Sequence, residues 1–112
     1  MPKNKIKKMF FIYVKDFLDN MRIELKSERT IQTYKESLNT FRLYMHHVYG
    51  KQVDDITFEY VTEDTIRRFT SWVAENNSIG TRNIRLSAIK SYLQYAADKD
   101  IELMLCLCIL FA

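Results

Sequence analysis

A run of polar and cationic residues opens one predicted helix near the end of the chain. Thr81, Arg82 and Asn83 follow Gly80 at the point where a helical spacing of apolar residues begins. The first N–H groups of a helix have no partner inside it, and together with the helix dipole they favour a phosphate. Guanidinium and amide groups add hydrogen-bond donors at the same place. The pattern therefore predicts a site that binds an anion.

Further candidates lie off the apolar positions of two predicted helices. On the helix that begins near residue 81 they are Arg85, Lys90 and Gln94, which we expect farther along its polar surface. On an earlier helix they are Arg29, Thr33, Lys35 and Arg42, which we also expect to face outward. A solvated helix face is the simpler interpretation of such residues, because ordinary surface helices carry as many charges.

Residues for catalysis or metal binding do not assemble in this sequence. His46 and His47 are adjacent and point in different directions, unlike the i, i+4 pair of a helical metal site. No nucleophile has an adjacent base, and no pair of catalytic carboxylates stands out. We therefore expect no catalysis, no metal and no cofactor.

Composition indicates a single helical domain. The chain has 112 residues, the usual size of one domain. Its hydrophobic content of 47% is far above that of a disordered chain, whereas two glycines and one proline leave few turns for hairpins. We expect an all-α fold, a compact bundle of four to five helices. The net charge of +3 is compatible with a polyanionic partner but does not require one.

Caps and periodicity predict four helices. The first covers about 6–25, the second follows Ser27 and stops at Gly50, the third follows Thr62 and ends at 76–78, and the fourth covers about 79–98. Two sets of apolar residues are expected in the core: Val53, Ile56 and Phe58 in the connector 51–61, and Ile84, Leu86, Ile89, Leu93 and Ala96 on the fourth helix.

The two ends of the chain differ from its middle. Residues 1–102 are expected to form the domain, with 1–5 flexible, and residues 103–112 form an uncharged apolar tail. The tail could add a helix or a strand, or drive oligomerisation. It is about half the roughly 20 residues that a membrane-spanning helix needs, so we expect no membrane segment. Cys106 and Cys108 are too close for an ordinary disulfide, which fits a reducing, cytoplasmic setting.

Three ordered sequence blocks resemble one known family. They are SERTIQTY at 27–34, VTEDTIRRF at 61–69 and GTRNIRLSAIKSY at 80–92. Together they resemble the N-terminal core-binding (SAM-like) domain of phage integrases and other tyrosine recombinases, over about 8–103. The resemblance implies a helical bundle that grips one face of duplex DNA while a separate catalytic domain grips the other. Tyr34 and Tyr92 match positions of this domain and not the catalytic tyrosine.

The resemblance implies a role in DNA integration or site-specific recombination. It implies that the ten candidate residues contact double-stranded DNA, mainly at its phosphates. We expect no catalysis by this chain alone, because the sequence stops at Ala112 without a catalytic domain. The alternative is a helical protein-interaction or dimerisation module that self-associates through the first helix or the apolar tail. A salt-dependent affinity for duplex DNA would separate the two.

Overall fold

Five α-helices make up the described part of the protein. The structure is a computed structural model that describes residues 8–107, apart from the side chains of Asn76, Cys106 and Leu107. The helices are α1 (Val14–Ile23), α2 (Glu28–Tyr49), α3 (Glu63–Asn76), α4 (Ile79–Lys99) and α5 (Ile101–Leu107), and short 3-10 helices cover Phe10–Tyr13, Val53–Asp55 and Phe58–Tyr60. Residues 8–107 contain no multi-residue strand. The prediction of an all-α bundle of four to five helices is confirmed.

Local caps explain where the central helices begin. Ser27, Thr62 and Ser78 have extended backbone angles, and the side-chain oxygen of each accepts the N–H three residues later, at 3.1, 3.2 and 3.2 Å. Each cap satisfies an N–H that the helix cannot satisfy itself. α2 stops at Gly50, whose φ of 67° lies in the left-handed region. The predicted caps Ser27, Thr62 and Gly50 are confirmed, whereas Ser78, expected at the end of the third helix, caps the fourth.

Lys8 and Met9 are not helical where the sequence predicted a helix, and Phe10–Tyr13 form a 3-10 helix that leads into α1. The N–H of Phe10 donates to the carbonyl of Ile56 at 2.8 Å, and the N–H of Phe58 donates to the carbonyl of Lys8 at 2.9 Å. These bonds form a short antiparallel bridge and use backbone groups that a helix would need. The predicted continuous helix over 6–25 is therefore wrong for residues 8 and 9, whereas 10–13 are helical with 3-10 geometry and α1 begins at Val14. The predicted flexible segment 1–5 lies outside the described residues.

Phe10 and Tyr92 lie at the centre of an aromatic core. Both are fully buried with ring centroids 5.2 Å apart, and the rings of Phe41 and Phe58 lie 4.8 and 5.3 Å from that of Phe10. The Tyr92 hydroxyl donates to the Phe10 carbonyl and accepts the N–H of Tyr13 at 3.2 Å. Burial raises the pKa of Tyr92, so its hydroxyl stays protonated and can donate. The N-terminal segment is thereby fixed to α4 through the core.

Most of the predicted apolar positions are buried, with two clear exceptions. The buried ones are Ile56, Phe58, Ile89, Leu93 and Ala96, and Leu86 packs against them at the edge. Val53 and Ile84, also expected in the core, are 42% and 50% exposed. Val53 belongs to a surface 3-10 helix of the connector. Ile84 lies five positions before the buried Ile89, roughly 140° around the helix, so the same rotation that buries Ile89 turns Ile84 outward.

A polar cluster at Asp100 joins the two ends of the described chain. Lys8 forms an ion pair with its carboxylate, and both the Tyr13 hydroxyl and the N–H of Glu102 donate to it at 3.1 Å. The hydrogen bond from Lys8 holds the pKa of Asp100 below its usual range. α5 begins directly after Asp100 and inserts Leu103 into the core. α5 therefore crosses the predicted domain boundary between 102 and 103, and the rest of the predicted tail, 108–112, lies outside the described residues.

Removing the buried hydroxyl of Tyr92 should destabilise the fold. Tyr92→Phe keeps the ring but leaves the Phe10 carbonyl and the Tyr13 N–H without this partner, which should cost about 1–3 kcal/mol. Tyr95→Phe is the control, because this half-buried hydroxyl has no hydrogen-bond partner among residues 8–107, and the change should stay below about 0.5 kcal/mol. Urea unfolding followed by circular dichroism measures both. Equal free energies of unfolding for the two variants would contradict this role of the hydroxyl.

The two glycines should respond in opposite ways to alanine. Gly50→Ala places a Cβ on a residue with a φ of +67° and should cost about 1 kcal/mol, although no atom lies within 4 Å of that Cβ. Gly80→Ala lies in the first turn of α4, where the added Cβ meets only Ser78 Oγ at 3.8 Å, and should stabilise the fold by about 0.5 kcal/mol. Thermal unfolding measures both changes. A loss in Gly80→Ala as large as that in Gly50→Ala would contradict the two backbone conformations.

Candidate nucleic-acid interface

Arg85 joins α2 and α4 across their interface. Its Nη1 donates to Ser37 Oγ at 3.0 Å, and the Ser37 hydroxyl donates in turn to the Thr33 carbonyl at 2.8 Å. Ser37 is fully buried and Arg85 is half-buried. The prediction that Arg85 shares the polar surface of Lys90 and Gln94 is therefore wrong, because residue 85 lies on the edge of α4 that meets α2.

Next to this hydrogen bond, α2 and α4 border an open groove of about 410 Å³. Seven residues line it: Arg29, Thr30, Thr33 and Tyr34 from α2, and Asn83, Ile84 and Ser87 from α4. Three predicted site residues, Arg29, Thr33 and Asn83, are thus brought together from helices that are distant in the sequence. Guanidinium, hydroxyl and amide groups on both walls can donate hydrogen bonds to an anionic or polar ligand.

A polar stripe continues from this groove along the outer face of α4. Asn83, Ser87, Lys90 and Gln94 follow one another at intervals of four, three and four positions, which places them on one face, and all four are exposed. Gln94 Nε2 donates to Asp98 Oδ1 at 3.1 Å. Lys90 and Gln94 therefore lie on the polar surface where the sequence placed them, and Lys90 is the cation of the stripe.

The N–H groups of Thr81 and Arg82 are not the open anion site that the sequence predicts. The N–H of Thr81 donates to Ser78 Oγ at 3.2 Å, and the N–H of Arg82 donates to the Ser78 carbonyl at 3.0 Å. The prediction of free N–H groups at Thr81 and Arg82 is therefore wrong. The half-buried Arg82 side chain donates from Nη2 to Asn83 Oδ1 at 3.1 Å, and its buried Nε has no hydrogen-bond partner among residues 8–107. Arg82 therefore contributes a side-chain contact to Asn83, and neither Thr81 nor Arg82 contributes a free backbone N–H.

Lys35 and Arg42 lie on the other flank of α2. At about 100° per residue they are roughly 160° and 140° around the helix from Ser37, which meets α4. Lys35 is exposed, and Arg42 is half-buried with its Nε donating to Asn39 Oδ1 at 2.9 Å. The structure therefore does not bring these two cations to the groove between α2 and α4.

The cations near the groove differ from those on α3 in their partners. On α3, Asp64 accepts hydrogen bonds from Arg67 at 2.6 Å and Arg68 at 2.8 Å, and the bond from Arg67 contributes most to a pKa of Asp64 below its usual range. None of the ion pairs within residues 8–107 involves Arg29 or Lys90. α4 also carries no Asp or Glu between residues 79 and 97. The charges of Arg29 and Lys90 are therefore available to an anionic partner.

Five residues of this region were missed as site residues by sequence reasoning, and two of them, Tyr34 and Ile84, are largely apolar side chains that line the groove. Thr30 and Ser87 line the groove, and Ser37 holds the guanidinium of Arg85. Each of these three lies three or four positions from Thr33 or Asn83. The spacing of neighbours on a helix face could therefore have found them.

The remaining candidates for chemistry have structural partners. His46 Nδ1 contacts the Lys51 carbonyl at 3.3 Å, and Tyr34 packs edge-on against Phe17 with ring centroids 5.8 Å apart. Within residues 8–107, no group of three or more His, Cys, Asp or Glu side chains could hold a metal ion. Among the described helices, none combines the length and apolar character needed to cross a membrane.

Replacing Arg85 should loosen the contact between α2 and α4. Arg85→Ala removes a half-buried side chain and its hydrogen bond to the buried Ser37, and should cost about 1–2 kcal/mol of unfolding free energy. Lys90→Ala is the matched control, because it removes a cation from an exposed position of the same helix and should change stability by less than about 0.5 kcal/mol. Urea unfolding compares the two. If both variants are equally stable, Arg85 does not link the helices.

The sequence matches a known family over most of its length. Residues 14–100 match the family described as phage integrase, N-terminal SAM-like domain. This segment begins with α1 and ends at Asp100, so it contains both walls of the groove. Searches of curated proteins and of solved structures returned no match. The resemblance found in the three sequence blocks is confirmed, and the chain belongs to the phage integrase family through an N-terminal SAM-like domain at residues 14–100.

Proposed function

We propose that this domain binds duplex DNA for a tyrosine recombinase, during DNA integration or site-specific recombination. Membership of the phage integrase family supports the proposal, because integration requires a protein that holds DNA. Binding is largely electrostatic and directed to phosphates, which position the protein without specifying a sequence.

The groove between α2 and α4 carries the proposal. Arg29 lies on one wall and Asn83 on the other, and Lys90 continues the outer stripe of α4. Because neither Arg29 nor Lys90 takes part in an ion pair within residues 8–107, a phosphate that approaches them breaks no such contact. Hydroxyl groups of Thr30 and Thr33 lie in the same groove and can add neutral hydrogen bonds to the backbone of the duplex.

The other candidate residues take different parts in this interface. Gln94 extends the outer stripe of α4, and Thr81 lies at the start of that helix beside Arg82. Arg85 acts indirectly, because it sets the distance between the two walls of the groove. Lys35 and Arg42 contact DNA only where the duplex extends past the far flank of α2.

Catalysis is assigned to a separate domain. The family match concerns the N-terminal domain, and it includes no catalytic segment. We expect the chain alone to hold DNA without cleaving it, and to do so in the cytoplasm. The domain then supplies one side of a clamp whose other side carries the chemistry.

A protein-interaction role is the second candidate. Ile101 and Leu105 of α5 are each 70% exposed, and Met104 is 42% exposed. Such an apolar surface suits contact with a second copy or with another protein. Size-exclusion chromatography over a range of concentrations tests self-association. A monomer at every concentration would count against a second copy covering this surface of α5.

Removing two cations at the groove should weaken DNA binding in a salt-dependent way. The full chain should bind duplex DNA of arbitrary sequence at low salt, with an affinity that falls steeply as salt is added. Arg29→Gln combined with Lys90→Gln removes two expected phosphate contacts, and should make the slope of log affinity against log salt shallower by about 1.8. Fluorescence anisotropy titrations at several salt concentrations measure the slope.

A matched control removes the same charge elsewhere. Arg67→Gln combined with Arg68→Gln changes α3, where both residues border a separate groove with Tyr44 and Tyr49 of α2. That part of α2 is roughly 20 Å or more from Arg29 along the helix, so the slope should stay close to that of the parent. An equal loss in both double variants would show that only net charge matters. No binding by the parent at low salt would contradict DNA binding itself.

A further inference from the structure

Ile84 is an apolar side chain surrounded by polar residues of the groove. It is 50% exposed and lines the groove together with Arg29, Asn83 and Ser87. A half-exposed isoleucine gains free energy when a partner covers it, and the gain is largest when the covering group is itself apolar. Phosphates cannot supply that contact. The groove therefore fits a ligand that combines polar groups with a methyl or similar apolar group.

The neighbouring Asn83 is held in a defined orientation. Its Oδ1 accepts a hydrogen bond from Arg82 Nη2 at 3.1 Å, and the Arg82 side chain is itself half-buried. An amide oxygen can accept two hydrogen bonds, and the amide nitrogen can donate two. Asn83 therefore keeps one acceptor position and its donors for a ligand, with the amide already oriented by the protein.

Two small residues complete one face around Asn83 and Ile84. Gly80 and Ser87 lie three or four positions from both, which places all four on one side of α4, and all four are exposed. A Cβ added at Gly80 would meet only Ser78 Oγ, at 3.8 Å, so the surface there is open. We call these four residues the reading face. Its small members allow a ligand to come close to the helix backbone.

The major-groove edge of an A·T pair has the groups that this face can bind. Adenine presents N7 as acceptor and N6 as donor, which match the donor and acceptor of an asparagine amide, and thymine presents a methyl group on the same edge. A G·C pair has no methyl group, and its guanine presents two acceptors where adenine presents one acceptor and one donor. Of the four bases, adenine and thymine therefore suit Asn83 and Ile84 together.

We infer that the reading face lies against the major-groove edge of A·T pairs, with Asn83 bonded to adenine and Ile84 against a thymine methyl group. The inference rests on the proposed DNA binding and adds base selection to it. Arg29 and Lys90 lie at the border of this face, where they contact phosphates and hold α4 in the major groove of the DNA. The domain thus prefers A·T pairs at this position while most of its affinity comes from the DNA backbone.

Three duplexes of equal length test this, with alternating A and T, alternating G and C, and alternating A and U. Uracil lacks only the thymine methyl group, so the third duplex removes one contact without changing the pairing. The full-length parent chain is compared with Asn83→Ala, Ile84→Ala and Lys90→Gln by anisotropy at one low salt concentration. Circular dichroism and melting temperature confirm that each variant is folded, which the exposure of all three positions favours.

The parent should bind the A·T duplex about ten-fold more tightly than the G·C duplex, and Asn83→Ala should remove most of that preference. Replacing thymine by uracil should weaken the parent about four-fold, with little effect on Ile84→Ala, because the lost contact corresponds to about one buried methyl group. Lys90→Gln should weaken binding to all three duplexes by the same factor.

Equal binding of the parent to all three duplexes, with a steep salt dependence, would overturn base reading and leave DNA binding intact. A preference for A·T that survives Asn83→Ala, or an effect of uracil that survives Ile84→Ala, would assign the selection to other residues and overturn the inference. The uracil comparison changes the DNA and not the protein, so it does not depend on the folding of a variant. No binding to any duplex would overturn the proposed function as well.

Discussion

A hydroxyl buried in an aromatic core has to find its hydrogen bonds inside the protein, and in this domain that hydroxyl belongs to Tyr92. Its partners are the carbonyl of Phe10 and the N–H of Tyr13, so the N-terminal segment must cross α4 at this point. The N–H of Phe10 and the carbonyl of Lys8 then pair with Ile56 and Phe58, so helical structure does not extend before Phe10. The Tyr92 hydroxyl fixes the segment to α4, and the backbone pairing fixes it to the connector between α2 and α3.

α4 serves the core and the candidate interface with different sides. Tyr92 and Ile89 are fully buried on its inner side, and this packing fixes the rotation of the helix about its axis. Arg85 lies at the edge toward α2, where its half-buried side chain reaches the buried Ser37 with its guanidinium. The outer residues, including Asn83, are therefore presented at a fixed distance from the opposite wall of the groove. The positions of the candidate interface residues on α4 therefore depend on how the core packs.

Local signals are sufficient for the middle of the chain and insufficient at its start. The caps of α2 and α3 act through neighbours within four positions, so the sequence predicts them. The N-terminal segment is determined by pairing with residues 56–58, and helical periodicity contains no information about a partner so far along the chain. On α4 the sequence predicts that Ile84 is buried and that Arg85 is exposed. The rotation imposed by Tyr92 turns Ile84 outward and places Arg85 at the edge toward α2, so the positions of these two residues needed the structure.

A net charge of +3 does not locate an anion-binding surface on this domain, because cations are distributed over several helices. Local pairing with carboxylates distinguishes the cations of α3 from those at the groove between α2 and α4. A phosphate that approaches α3 must compete with Asp64 for Arg67 and Arg68, and a charge-assisted bond at 2.6 to 2.8 Å is not displaced without cost. A phosphate that approaches Arg29 or Lys90 breaks no ion pair of residues 8–107. The absence of a paired carboxylate at Arg29 and Lys90 within residues 8–107 therefore supports the groove between α2 and α4 as the proposed anion-binding surface.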